Sequence, residues 1–174
     1  MDLTPINAGV RQACKGHGRL HSRRNIYAKR LAMLNTILVA VDGSNHAKNA
    51  VKTAAELAGK LDATLLLVTI DEPGSLKGEV ANFATTEGLD RMAVAEWILH
   101  SAEAAAEEAG ARTVRHDIEG GAPAEAILRA AQAHQVEMIV MGARGLSELQ
   151  GLVFGSVSHK VLHMTNLPVL IVRE

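Results

Sequence analysis

Three glycines and a serine near the C-terminal end of the chain have the spacing of a phosphate-binding loop. Gly142 and Gly145 follow a short aliphatic run, nine residues separate Gly145 from Gly155, and Ser156 comes next. Glycine lacks a Cβ, so the backbone can approach a ligand closely or adopt a positive φ. Free N–H groups at the start of a following helix, together with the helix dipole, favour an anion. The pattern therefore predicts nucleotide binding.

The sequence offers little machinery for catalysis beside this loop. It contains no Gly-x4-Gly-Lys-(Ser/Thr) phosphate loop, and no spacing suggests a Ser-His-Asp arrangement. His159 and His163 are four residues apart, so they share one helical face and resemble part of a metal site. No third ligand is evident near them in the sequence, which favours a structural or solvent-facing role. We expect slow nucleotide hydrolysis at most.

Strand-like and helix-like segments alternate from residue 36 onward and must position the glycine loop. Short aliphatic or alternating runs predict five strands, at residues 36–41, 63–70, 113–118, 137–141 and 169–172. Helical spacing predicts four helices, at residues 46–60, 88–109, 124–134 and 156–164. The polar segment 71–87, which contains two glycines and a proline, is expected to be a long mobile loop. This order predicts an α/β fold with an open, doubly wound parallel sheet and helices on both faces.

Composition predicts a soluble protein with an aliphatic core. The chain has 174 residues, of which 48 % are apolar and only 2 % aromatic, which suits a parallel sheet covered by Ala-rich helices. Its single cysteine, Cys14, excludes an internal disulfide framework and fits a reducing compartment. No apolar run approaches the ~20 residues needed to span a bilayer. We therefore expect a cytoplasmic protein that does not enter membranes.

Charge is distributed unevenly along the chain. Residues 1–32 contain seven Lys or Arg and one acid, whereas residues 33–174 contain eleven basic and eighteen acidic residues. An acidic body disfavours general nucleic-acid binding, which needs basic faces. Residues 1–33 are predicted to be a basic extension: an interaction arm, a targeting peptide or sequence upstream of a true start at Met33. We expect this extension to be disordered unless a partner orders it, and the folded domain to span residues 34–174.

Residues 34–173 resemble the universal stress proteins in their nucleotide-binding branch. The resemblance rests on Val41-Asp42-Gly43-Ser44, on the strand Leu65–Ile70 ending at Asp71, and on the stretch from Gly142 to Val172. That stretch meets the pattern Gly-x2-Gly-x9-Gly-(Ser/Thr) at every fixed position. The resemblance implies an ATP-binding, homodimeric, cytoplasmic stress protein. It also implies a Rossmann-like sheet, similar to the adenine nucleotide alpha hydrolases, with strand order 3-2-1-4-5.

In this strand order, strands 1 and 4 are neighbours whose connections leave in opposite directions. The loops that follow them carry Asp42 and Gly142, so both motifs are expected at the crevice where open α/β sheets bind ligands. By matching position, the resemblance implies that the residues around the adenine and ribose are Ala40, Val41, Asp42 and Ile70. Those expected beside the sugar and the first phosphate are Met141 and Gly142. The expected N–H or hydroxyl donors to the phosphates are Gly145, Gly155, Ser156 and Val157.

The charges near this loop predict a metal requirement. ATP carries about four negative charges, whereas a helix N-terminus offers roughly half a positive charge. A carboxylate at Asp42 adds to the repulsion unless it accepts a ribose hydroxyl or holds a metal through water. We therefore expect ATP to bind with Mg²⁺ or Mn²⁺, with Arg144 or Lys160 assisting. Equal ATP affinity with and without EDTA would contradict this expectation.

Three functions remain open on the sequence. In the first, nucleotide occupancy orders the segment 71–87 and alters binding to an unknown regulatory protein partner. In the second, the protein binds no nucleotide and acts as a dimeric interaction protein, since the aliphatic strand Val169–Val172 lies at a sheet edge that favours a symmetric homodimer. In the third, the same scaffold serves an enzyme, such as a flavin-linked or adenylating protein.

Overall fold

The computed structural model describes residues 34–72, 78–145 and 155–173. One compact unit spans Leu34–Glu174. The predictions for the basic extension at residues 1–33 lie outside the described residues, as do those for residues 73–77 and 146–154.

Five parallel strands form one sheet in the order β3-β2-β1-β4-β5, which confirms the predicted fold class and strand order. Neighbouring strands pair in parallel throughout. The central strand β1 is a continuous aliphatic run because helices cover both of its faces, and Ile37, Leu38 and Val39 are fully buried. The strands are β1 (Thr36–Ala40), β2 (Thr64–Asp71), β3 (Thr113–Gly120), β4 (Met138–Gly142) and β5 (Val169–Val172).

The described residues contain five helices. They are α1 (Asn45–Leu61), α2 (Gly78–Glu87), α3 (Arg91–Glu108), α4 (Pro123–Ala133) and α5 (Ser156–Met164). The expectation of a loop throughout residues 71–87 is wrong over α2, which occupies its second half. Val80 and Ala84, one helical turn apart, are both buried in the core and explain why this segment folds as a helix. Its apolar stripe is too short to stand out in the sequence.

Two clusters of aliphatic side chains form the core, one on each face of the sheet. Side chains alternate between them along β1 and the residue that follows it: Val39 and Val41 join the cluster under α1, α2 and α3, whereas Leu38 joins the one under α4 and α5. Consecutive side chains at the end of β1 therefore face opposite sides of the sheet.

Phe83 and Trp97, within the described part of the chain, lie outside these clusters. Trp97, the only tryptophan of the chain, is 41 % exposed on α3. Its ring stacks against Phe83 of α2, with ring centroids 4.6 Å apart. The stacked pair joins α2 to α3 at the surface. Among the described helices, none is both long and apolar enough to cross a membrane.

Candidate nucleotide-binding site

The carboxyl ends of β1 and β4 lie side by side in the middle of the sheet. Ala40 pairs with Met141 in the β1–β4 register, so the segments after these residues leave the sheet at neighbouring points. The chain turns to opposite sides after the two strands, and such a reversal opens the crevice in which α/β sheets bind ligands.

Local hydrogen bonds fix the turn after β1. The Asp42 Oδ1 atom accepts a hydrogen bond from the Ser44 N–H at 3.0 Å, as in an Asx turn. Ser44 then caps α1, because its hydroxyl oxygen accepts from the Ala47 N–H at 3.2 Å. Gly43 has a φ of +82°, and a Cβ there would lie 3.0 Å from Cγ2 of Val80 on α2. Glycine is therefore needed at this turn for both its conformation and its packing.

The structure brings Asp42 and Gly145 together across the crevice. A Cβ built on Gly145 would lie 2.5 Å from Asp42 Oδ2, so even alanine would displace the carboxylate. Gly142 is required for a different reason. A Cβ there would lie 2.8 Å from both the carbonyl carbon and the Cβ of His46, in the first turn of α1. Of the two glycines, only Gly145 faces the predicted ligand-binding carboxylate.

Two hydrogen bonds to one carbonyl group hold the start of α5 against the end of β4. The Ala143 carbonyl oxygen accepts from the Gly155 N–H at 2.7 Å and from the Ser158 hydroxyl at 3.0 Å. The Gly155 amide thus has a partner inside the protein. The next amides, those of Ser156 and Val157, lie in the first turn of the helix, where N–H groups lack intrahelical acceptors.

Sequence reasoning missed the role of Ser158, which is only 2 % exposed. The available signal was its spacing: Ser158 precedes Val161 by three residues, and these two residues form the buried side of α5.

Ala40 and Ile70, predicted around the adenine and ribose, share one face of the sheet with Met141 and Val157, predicted near the sugar and phosphates. Met141 belongs to the core cluster under α4 and α5, and the partly buried residues packed against that cluster include Ala40, Ile70 and Val157. Val41 departs from this group. Its side chain is buried in the opposite cluster, and its N–H donates to the Val68 carbonyl at 2.8 Å. Only the main chain of Val41 remains available to a ligand on the α4–α5 side.

Arg144 and Lys160, the two cationic residues predicted to assist ATP binding, differ in their surroundings. Arg144 is half-buried within the glycine segment, and it forms no ion pair with any residue that the structure describes. Lys160 is instead paired with Glu125 of α4, at 2.5 Å between Nζ and Oε1. The hydrogen bond from Lys160 holds the pKa of the Glu125 carboxyl below its usual range. Arg144 is therefore the better placed of the two to meet a phosphate.

Asp42 is the candidate metal ligand of this site. Within the described parts of the chain, no group of three or more His, Cys, Asp or Glu residues is arranged to hold a metal ion. Asp42 would thus hold a cation only together with water or ligand oxygens, as the hard divalent cation Mg²⁺ commonly does beside phosphates.

A model of the universal stress protein family matches residues 33–173 of this sequence. The chain belongs to the universal stress protein family. It is 36 % identical to the universal stress protein YxiE of Bacillus subtilis, covering 81 % of this chain and 100 % of that protein. It is 41 % identical to a universal stress protein of Thermus aquaticus, again with 81 % and 100 % of the two chains covered.

Solved structures with a similar fold match most of the length of this chain. A universal stress protein in complex with cAMP is 28 % identical, with a TM-score of 0.61 over 80 % of this chain and 97 % of that chain. The protein MJ0577 is 25 % identical, with a TM-score of 0.67 over 82 % and 97 % of the two chains.

Proposed function

We propose that this protein binds ATP with Mg²⁺ or Mn²⁺ at the adjacent ends of β1 and β4, and that nucleotide occupancy regulates its binding to a protein partner. The observation that carries the proposal is the pairing of Gly145 with the Asp42 carboxylate, where a Cβ would come within 2.5 Å of Oδ2. An acidic side chain and an open glycine backbone meet at the crevice where this class of sheet binds ligands.

On this proposal, the phosphates lie between Gly145 and the first turn of α5. The amides of Ser156 and Val157 donate to them, supported by the positive end of the helix dipole, and the Arg144 guanidinium meets the terminal phosphate. The Gly155 N–H already donates to the Ala143 carbonyl oxygen, so Gly155 contributes only through the position of its backbone. A divalent cation lies between the phosphates and Asp42, which it holds through water.

The base rests on the apolar face shared by Ala40, Ile70 and Met141, and Val157 closes the edge nearest the phosphates. Apolar side chains on one face of the sheet provide a surface against which a purine can pack. The structural neighbour that was solved with cAMP supports an adenine nucleotide as the class of ligand. Binding of the nucleotide in this way requires no hydrolysis of ATP.

Calorimetric titration of ATP into the full chain, with Mg²⁺ and then with EDTA, tests the proposal. We expect the Mg²⁺ complex to bind more tightly by roughly tenfold or more, because the cation removes the repulsion by Asp42. Gly145→Val is expected to weaken binding by a similar factor or to abolish it.

Gly120→Val is the matched control for this substitution. A Cβ at Gly120 has no neighbour within 4 Å, so the same valine is expected to leave ATP affinity unchanged. A folded Gly145→Val variant that binds ATP as tightly as the parent would refute the site. Equal affinity in Mg²⁺ and EDTA would refute the role of the cation.

The exposed edge of β5 favours a second candidate function, that of a dimeric interaction protein. Strand β5 is the last strand of the sheet, and Leu170 within it is 36 % exposed. A strand at the edge of the described sheet, with an exposed aliphatic side chain, favours pairing with a second copy of the chain. We propose a homodimer through Val169–Val172, compatible with either candidate function. If the Gly145→Val variant remains dimeric and keeps its cellular activity, this second function is favoured.

A further inference from the structure

Two histidines of α5 share a hydrogen bond between their Nε2 atoms at the protein surface, and a metal ion bound by both would take the place of the shared proton. His159 and His163 are both exposed, and their Nε2 atoms are 3.3 Å apart. Their ring centroids are 4.5 Å apart with the planes inclined by 62°. The spacing of one helical turn places them on one face, and the side chains incline toward each other along the helix.

The separation of the two nitrogens fits two ligands of a single metal ion. Imidazole nitrogens bind such metals at about 2.0–2.1 Å, so two of them lie roughly 3.3–3.4 Å apart in a tetrahedral Zn²⁺ site and roughly 2.8–3.0 Å apart at the right angles of a tetragonal Cu²⁺ or Ni²⁺ site, which a small rotation of the exposed rings reaches. We propose that His159 and His163 form a surface site for a divalent transition metal of the Cu²⁺, Ni²⁺ or Zn²⁺ type. Imidazole suits these ions, whereas Mg²⁺ prefers oxygen ligands.

The surroundings of the pair are compatible with a bound cation. Lys160, which lies between the two histidines in sequence, has its ammonium group engaged by the Glu125 carboxylate. That ion pair offsets the positive charge next to the site. Since both imidazole rings are exposed, water or an anion can occupy the remaining positions around the metal. The site is distinct from the proposed Mg²⁺ position, which relies on oxygen atoms near Asp42.

Other residues of the sequence complicate the test and have to be removed first. Cys14, His17 and His21 are spaced closely enough to bind the same metals. The titration is therefore performed on the full chain carrying Cys14→Ser, His17→Gln and His21→Gln. CuCl₂, NiCl₂, ZnCl₂ and MgCl₂ are each titrated by calorimetry in a weakly coordinating buffer.

We expect about one equivalent of Cu²⁺ to bind most tightly, with Ni²⁺ and Zn²⁺ weaker and Mg²⁺ undetectable, following the usual order for nitrogen ligands. His159→Gln or His163→Gln should each weaken Cu²⁺ binding by at least about tenfold, because the second ligand then no longer adds its intramolecular contribution. In spectra of the nitrogen-labelled protein, Cu²⁺ should broaden the amide signals of α5 first.

The matched control keeps the number of histidines but changes their spacing. His163→Gln combined with Met164→His moves the second imidazole to another exposed position, off the face that carries His159. This double variant should remain as weak as His163→Gln alone. Cu²⁺ affinity that is unchanged in both single variants, or restored in the double variant, would overturn the proposal.

Discussion

Glycines at equivalent-looking positions of one motif serve different physical purposes in this protein. Gly145 leaves room for the Asp42 carboxylate, whereas Gly142 leaves room for the main chain of α1 at His46. The motif alone does not distinguish the roles of the two glycines, because the sequence does not show which atoms approach each Cα. Gly142 thus has a structural reason that does not depend on a ligand.

This difference predicts that Gly142→Ala destabilises the protein in the absence of nucleotide. A Cβ at Gly142 would lie 2.8 Å from backbone and side-chain atoms of His46, which can move only with α1. Overpacking of this kind costs about 1–3 kcal/mol. Urea unfolding should show a lower midpoint with an unchanged slope. Gly120→Ala, at an open position, provides the control, and equal midpoints for the two variants would contradict the packing role of Gly142.

Some features of the site could be predicted from the sequence, and others could not. The meeting of Asp42 with the glycine segment follows from strand order, because neighbouring parallel strands end at one edge of the sheet. Two atomic details were not accessible: that the Gly155 amide is already bonded to Ala143, and that Val41 faces the opposite core cluster. Both depend on the direction of individual bonds, which spacing in the sequence does not specify.

Among the elements, strands β1, β2 and β4 were the most predictable because their aliphatic runs are continuous and mostly buried. The last strand was predicted with its observed bounds, Val169–Val172. Helix α2 was missed because Val80 and Ala84 give it only a short buried stripe next to a segment rich in glycine and polar residues. Tertiary packing against Gly43 and α3 supplies what local periodicity does not.

An ion pair joins α4 to α5, and it gives a prediction for the dependence of stability on pH. Lys160 lowers the pKa of Glu125 from its ordinary value of 4.5, so the carboxylate is more stable in the folded state than in the unfolded state. The resulting contribution is present above about pH 5 and is lost as the pH falls through the lowered pKa of the folded protein.

Glu125→Gln tests this contribution. The difference in free energy of unfolding between parent and variant should be largest near pH 7 and should shrink below pH 4.5. Because both side chains are substantially exposed, added salt should reduce the difference as well. In a Lys160→Met background, Glu125→Gln should have a smaller effect, which comes from the backbone hydrogen bond of Glu125 and the charge of Arg129. A difference that grows on acidification would contradict the assignment.

At the scale of the whole molecule, the sheet ends in two unlike edges. Strand β3 carries charged residues, including Arg115 and Glu119, and is thereby protected against pairing with another chain. Strand β5 consists of four aliphatic residues and lacks such protection. The asymmetry favours association through β5 alone.

Leu170→Glu is therefore expected to shift the protein from dimer to monomer. Light scattering after size-exclusion chromatography should give twice the chain mass of 18.5 kDa for the parent and a lower mass for the variant. Leu162→Glu is the matched control, because Leu162 is similarly exposed, at 40 %, but belongs to α5 and not to strand β5. A parent that elutes as a monomer, or equal effects of the two substitutions, would exclude the β5 interface.

Trp97, which packs against Phe83, is an intrinsic fluorescence probe. Trp97 is the only tryptophan in the chain, so its emission comes from one place, the contact between α2 and α3. Helix α2 in turn contacts the turn after β1, where Val80 approaches Gly43 beside Asp42. A ligand that shifts this turn would change the surroundings of the indole ring. Fluorescence of the unlabelled protein would then follow occupancy of the crevice in real time.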